Sequence, residues 1–319
     1  MGRYLLRRLL LTAPLMLGVT ILGYGLINLA PGDPVSMLVS PEVGSVSPED
    51  LLERKRALGL DDPLPVRYVR WLGEAMQGNL GYSIANGRPV SERVSERLTG
   101  TLQLMLAALA LSVVIGIPIG ALAAVRRDSL PDRVSAAAAF LAASIPTFFV
   151  GLGLIYLLSL KLDLFPTGGM DTIGRPFSLG DRLQHLALPA FVLSLAHIAE
   201  LIRYTRSSLL DALEQDYVRT ATAKGLSRLT VVGSHALRNA LLPVITIVGL
   251  TIPQLLGGTL ITETIFQWPG MGSLSIEAVR QRDYPVLMGV TLVSAISVLG
   301  VSLLTDIAYA LIDPRIRFE

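Results

Sequence analysis

The side chains able to do chemistry are few. Cysteine is absent and the histidines are His185, His197 and His235, so a disulfide framework, a thiolate nucleophile and a cysteine-based metal site are excluded. His197 and Glu200 form an H-x-x-E pair that can share one helix face. A metal site needs at least one more convergent ligand, and the sequence supplies none. A polar lining or a satisfied interhelical pair is the reading that remains. The lysines are Lys55, Lys161 and Lys224, and none sits in the Gly-x-x-x-x-Gly-Lys-Ser/Thr loop that cradles nucleotide phosphates. There is no Gly-x-Ser-x-Gly elbow and no zinc motif for a hydrolase. The chain is therefore expected to be no enzyme and to bind no cofactor or metal of its own. If nucleotide drives it, ATP and Mg are bound on another polypeptide.

The elements that must position these residues are long and apolar. The chain has 319 residues, of which 51% are hydrophobic and 16% charged, with mean hydropathy +0.57. A soluble domain carries roughly 25% charge. Residues 9–32, 98–125, 134–160, 183–199, 239–262 and 284–305 hold no Asp, Glu, Lys or Arg. About 20 apolar residues in a helix cross the ~30 Å hydrocarbon core. Five of the stretches reach that length; the fourth does so if it runs past Glu200 toward Arg203 and Arg206, whose stems can snorkel. The reading is an all-α membrane protein with six transmembrane helices, which excludes a soluble enzyme, a secreted disulfide scaffold and a disordered chain. Arg3, Arg7 and Arg8 before an apolar run resemble a signal peptide, but the run is far longer than a cleaved signal's core, so it reads as a retained first span.

Six spans put both termini on one side. The segments sharing that side carry 14 basic against 9 acidic residues, the others 13 against 16, which places the termini in the cytoplasm. The net charge of +2 gives no argument for nucleic acid. Acids near a span are read as two, Glu200 and Asp306, both at cytoplasmic ends. Such sparse charge weakens an ion-coupled secondary transporter, or a channel, without removing it. Spans interrupted by Gly116-Ile117-Pro118-Ile119-Gly120, Ser144-Ile145-Pro146-Thr147, Pro189, Pro253 and Gly257-Gly258 suit a bundle that moves. Pro146, His197, Glu200 and Gln254 are candidates to line a pathway through it.

Between the first two spans, Ser47-Pro48-Glu49-Asp50 reads as a helix start, with Leu51, Leu52 and Leu58 on its turns and Gly59 closing it. A second helix follows Asp61-Asp62-Pro63, with Val66, Val69 and Leu72 at helical spacing beside Tyr68 and Trp71. This helical segment is either a cap on its own spans or a docking surface for an extracytoplasmic partner. The 39-residue segment 200–238 is patterned helix at the cytoplasmic surface. Helix formers run to Lys224, Gly225 breaks them, and Ser227 can cap the helix that leads into the fifth span. That is a lever joined to two spans.

The run Arg219-Thr220-Ala221-Thr222-Ala223-Lys224-Gly225-Leu226, continuing through His235-Ala236-Leu237-Arg238-Asn239-Ala240-Leu241-Leu242-Pro243, resembles the EAA loop of ABC importer permeases of the dipeptide/oligopeptide/nickel branch. Further blocks agree in order: Asn28-Leu29-Ala30-Pro31-Gly32-Asp33-Pro34, Leu58-Gly59-Leu60-Asp61, Gly78-Asn79-Leu80-Gly81-Tyr82-Ser83, Ser144-Ile145-Pro146-Thr147-Phe148-Phe149, Glu263 through Gly272, Arg282-Asp283-Tyr284-Pro285, and Asp313-Pro314-Arg315-Ile316-Arg317. The general Glu-Ala-Ala-x-x-x-Gly pattern departs here, since Arg219-Thr220 stand where Glu and the first Ala would. The resemblance implies a type I ABC importer permease fold, with an N-terminal arm and first span over 1–32, a periplasmic helical segment over 33–97, a core over 98–310 with its coupling loop at about 207–238, and a tail over 311–319. It implies a multi-pass protein of a bacterial or archaeal inner membrane, surrounded by lipid. The implied partners are a second homologous permease, two cytoplasmic ATPase subunits and an extracytoplasmic substrate-binding protein. Asp216, Arg219, Thr220, Ala221, Lys224, Gly225, Leu226 and Ser227 become the ATPase-coupling residues. The implied substrate is a di- or oligopeptide, with a nickel chelate or glutathione as alternatives.

Overall fold

A computed structural model of the chain describes residues 2–29 and 62–312. The expected helix at 47–59 and the 313–319 tail lie outside the described residues. Every regular element among the described residues is helical: α1 Gly2–Leu29, α2 Leu64–Met76, α3 Val90–Val125, α4 Leu130–Ser144, α5 Thr147–Lys161, α6 Leu179–Leu213, α7 Asp216–Ala223, α8 Arg228–Ile265, α9 Met271–Arg280 and α10 Tyr284–Ile312. Five of these, α1, α3, α6, α8 and α10, are long and apolar enough to cross a membrane. The fourth charge-free stretch does extend past Glu200, as far as Leu213.

The third stretch departs from the expected single span. Helices α4 and α5 meet at a bend of 101°. The physical reason is local. Pro146 disfavours helical backbone at the residue before it, and Ile145 takes φ −88°, ψ 128°. Pro146 then starts the next helix. The last seven residues of α5, Ile155–Lys161, run as π-helical turns. Counted as one span, the pair brings the total to six.

The chain packs as two compact units. Of the described residues, one holds 2–29, 62–100 and 270–299. In it Val90 and Val94 of α3 bury against Leu274 and Ala278 of α9 and Val286 and Val290 of α10. An ionic network closes this core: Arg93, 7% exposed, donates to Glu277 at 2.9 Å and to Ser83 at 3.1 Å, and Ser83 donates to the fully buried Asp283. Asp283 also accepts from the Ile84 amide at 3.1 Å. The Gly78–Ser83 and Arg282–Pro285 blocks are thus two halves of one polar joint.

In the same unit, α2 lies against α1 through Tyr68 and Trp71, which form an aromatic trio with Tyr24. This corrects the apolar stripe read from sequence. Val66 and Val69 are exposed, because the aromatic rings offer more area to bury on α1 than a valine does.

The other unit holds, of the described residues, 101–269 and 300–312. Helices α6 and α8 pack along each other, with α4 and α5 on α6. Leu104, Met105 and Ala108 of α3 join Ala190, Leu193, Leu255 and Trp268 in its core. Gly116 and Gly120 let α3 touch the α6 backbone: a Cβ on Gly120 would sit 2.7 Å from the Ile202 carbonyl oxygen. Small residues four apart permit such approach between spans. At its far end α8 closes in a left-handed turn, with Gln267 at φ 48° and the Trp268 amide donating to the Glu263 carbonyl at 2.8 Å. The buried Trp268 ring plugs the core beside it.

Glu263 corrects the reading that Glu200 and Asp306 are the acids near spans. It lies within α8, fully buried, and accepts from the Thr101 hydroxyl at 2.6 Å. Arg206, read from the sequence as a side chain whose stem can snorkel, has a partner the sequence did not show. Its guanidinium grips Asp132 with two bonds, at 2.6 and 2.8 Å. Two parallel bonds to one carboxylate fix the plane of the guanidinium as well as its position.

Candidate functional site

Residues 214–238 hold the stop at Gly225 and the cap at Ser227 expected from the sequence, together with a break at Glu214–Gln215 that it did not show. Helix α6 ends at Leu213, and Gln215 turns the chain into α7 with φ −73°, ψ 150°. Lys224 ends α7, and Gly225 takes φ +79°. The Gly225 amide donates to the Thr222 carbonyl at 3.0 Å and the Leu226 amide to the Ala221 carbonyl at 3.4 Å. This is the paired closure that a left-handed residue permits at a helix C-terminus. Ser227 then caps α8: its Oγ accepts from the Thr230 amide at 3.3 Å. A stop and a start thus meet within a few residues.

What fixes this turn to the spans is a shared core. Val218 and Ala221 of α7 bury with Leu209 and Ala212 of α6, Val231, Ala236 and Ala240 of α8, and Ala124 of α3. The small residues let four helices approach closely. Arg228 adds a polar tie, donating from Nη2 to the Val125 carbonyl at the end of α3 at 3.0 Å. From Val231, α8 runs in π-helical turns through Ala236. Such a widened turn is a common local device at functional sites.

The opposite face is bare. Asp216, Arg219, Thr220, Lys224, Gly225, Leu226 and Ser227 are all exposed. Asp216 and Arg219 are 3.6 Å apart, both in water, so the pair adds little stability. Tyr217, Leu226 and Leu229 are exposed large apolar side chains around them, Leu229 at 87%. Ala221 is the one residue of the expected set that the fold turns inward. The result is a small knob of apolar and basic side chains on a buried footing.

The four candidate pathway residues do not share one setting. Pro146 is exposed at the α4–α5 bend, Gln254 is exposed on α8, and His197 and Glu200 lie on α6, less exposed than either. His197 Nδ1 stands 3.9 Å from Glu200 Oε2, too long for a hydrogen bond. The described residues contain no group of three or more His, Cys, Asp or Glu placed to hold a metal ion. Sequence reasoning missed Asp132, Glu263 and Arg93. Each sits close to the edge of a charge-free stretch, which is the signal that was available. Their partners, 74 to 184 residues away, were not legible.

Comparison with known proteins agrees with this geometry. Residues 116–318 match the family described as binding-protein-dependent transport system inner membrane component, and residues 1–105 match the N-terminal model of the same systems. The chain is 47% identical over 319 residues to the oligopeptide transport system permease protein AppB of Bacillus subtilis, with all of both chains covered. It is 40% identical to the dipeptide transport system permease protein DppB of Escherichia coli K12, again over all of both. Among solved structures, a chain of the MetNI methionine ABC transporter aligns with TM-score 0.56 at 17% identity, covering 69% of this chain and 96% of that one. That likeness is one of fold. Apolar spans, a footed turn between two of them and matches along nearly the whole length converge: the chain belongs to the inner-membrane permease components of binding-protein-dependent ABC transport systems.

Proposed function

We propose that this permease forms half of a translocation pathway for short peptides and is worked by separate ATPase subunits through the α7 turn. The observation that carries the reading is the footed knob. Its exposed face offers Tyr217, Leu226 and Leu229 with Arg219 and Lys224, while its buried face is continuous with α3, α6 and α8. A force applied to such a turn moves spans, because packed cores shift as units and deform little. The peptide substrate rests on the names of the oligopeptide and dipeptide permeases it resembles. The remaining parts are a second, homologous permease, two ATPases that bind ATP and Mg on the side of the knob, and a binding protein that delivers peptide from the other side. Both chain termini then lie in the cytoplasm.

The absence of native cysteine makes the test direct. With Leu229→Cys or Lys224→Cys in the assembled complex, a short crosslinker should trap an ATPase subunit, and ATP should change the yield. Membrane vesicles carrying the complex, binding protein and peptide should accumulate peptide only when ATP is supplied. Labelling of the Lys224→Cys variant by an impermeant reagent from outside the cell would overturn the topology. Uphill uptake without any ATPase would overturn the mechanism in favour of an ion-coupled carrier.

A further inference from the structure

Helix α2 presents three distinct sectors. At about 100° per residue, Tyr68, Trp71 and Leu72 point one way, toward α1. Arg70, Glu74 and Gln77 share a second sector, which holds the exposed Arg70–Asp62 ion pair at 2.7 Å. Val66, Val69, Gly73 and Met76 fill a third. This last one is an uncovered apolar stripe, with Val66 48%, Val69 66% and Met76 82% exposed.

The level at which α2 crosses α1 says what lies against that stripe. Arg67 donates to Asn28 Oδ1 at 2.9 Å, and the Tyr68 hydroxyl is 2.9 Å from Thr20 Oγ1. Both partners belong to the apolar span Leu10–Leu29. Thr20 lies about 14 Å along the helix axis from the end of that span, at roughly 1.5 Å per residue. Helix α2 is thus held alongside the C-terminal half of a membrane span, not above it. Leu22, Leu26 and Leu29 of α1, at the same level on the side turned away from α2, are also exposed, by 66%, 70% and 75%, so the span presents apolar side chains to its surroundings at the height where α2 is attached. The Tyr24–Tyr68–Trp71 trio lies at that level too, and such rings are enriched where chain meets headgroup.

We infer that α2 is an interfacial helix, its Val66–Val69–Met76 stripe seated in the acyl–headgroup boundary of the leaflet that the C-terminal end of α1 crosses. Amphipathic helices bury such a face roughly 5–10 Å deep, which matches its attachment below the end of α1. The inference does not depend on the substrate or on the ATPase. It assigns the stripe to lipid and leaves the Arg70–Glu74 sector to water.

Spin labels on single cysteines test this in the full transporter reconstituted in phospholipid vesicles. Val69→Cys and Met76→Cys probe the stripe, Glu74→Cys the wet sector and Leu22→Cys the span. All four are surface positions, so folding is retained, and ATP-driven uptake checks it. The ratio of collision with molecular oxygen to collision with a water-soluble nickel chelate should be several-fold higher for the two stripe labels than for the Glu74→Cys label, approaching that of Leu22→Cys. A stripe ratio equal to that of the wet sector would mean a solvated cap. Exclusion of both reagents, either constantly or only after binding protein is added, would mean a protein partner. Either result overturns the inference.

Discussion

Substitution at Gly225 separates a conformational requirement from a packing one. A Cβ placed there meets nothing within 4 Å, so size alone has no cost. The backbone, at φ +79°, does. An alanine in the left-handed region costs about 1–2 kcal/mol, and a β-branched residue lies at the upper end of the roughly 1–3 kcal/mol such outliers carry. Against this stand two closing hydrogen bonds and the Ser227 cap, each contributing about 1 kcal/mol net. Alanine should therefore leave the turn mostly formed, asparagine should do better still, and valine should bring the local balance close to zero. In reconstituted complexes, peptide-stimulated ATP hydrolysis should rank Gly225 first, then Asn, Ala and Val. Insertion and the amount of purified permease should stay unchanged. Valine equal to glycine would remove the requirement for this turn. Alanine as damaging as valine would point to a contact with a partner and refute the strain argument.

Three further outcomes follow from packing and charge. Gly120→Ala should lower thermal stability in detergent by about 1–3 kcal/mol, since the new Cβ meets the Ile202 carbonyl at 2.7 Å, while Gly257→Ala, with open space around it, should be near neutral. Asp132→Ala should cost roughly 2–3 kcal/mol, reduced from the roughly 3–5 kcal/mol of a fully buried pair because Arg206 keeps some water contact; a double-mutant cycle with Arg206→Ala should show strong coupling, and additivity would mean that the pair is idle. Arg93→Lys should behave as a loss, because an ammonium cannot reproduce the guanidinium's fork to Glu277 and Ser83; limited proteolysis between Gly78 and Pro89 should quicken, and wild-type resistance would remove that network as the clasp.

The parts legible in the sequence are those governed by neighbours along the chain. Hydrophobic run length announced the spans, because crossing hydrocarbon demands uninterrupted apolar helix. Gly225 and Ser227 announced the end of α7 and the start of α8, because a left-handed stop and a hydroxyl cap act within three or four residues. Proline at 146 announced an interruption, but not which helices the segment beyond the 101° bend would pack against, α6 and α8. Likewise, Val66 and Val69 have the spacing of a buried face, yet the neighbouring rings took α1 and left them outside. Asp132, Glu263 and Arg93 show why charge near a span is hard to read in isolation. A buried charge survives only with a partner in place, and their partners come from distant helices. Local backbone preferences and solvent compatibility were written in the residues themselves. Which face each helix buries, and which charges it can keep, was decided only when the helices met.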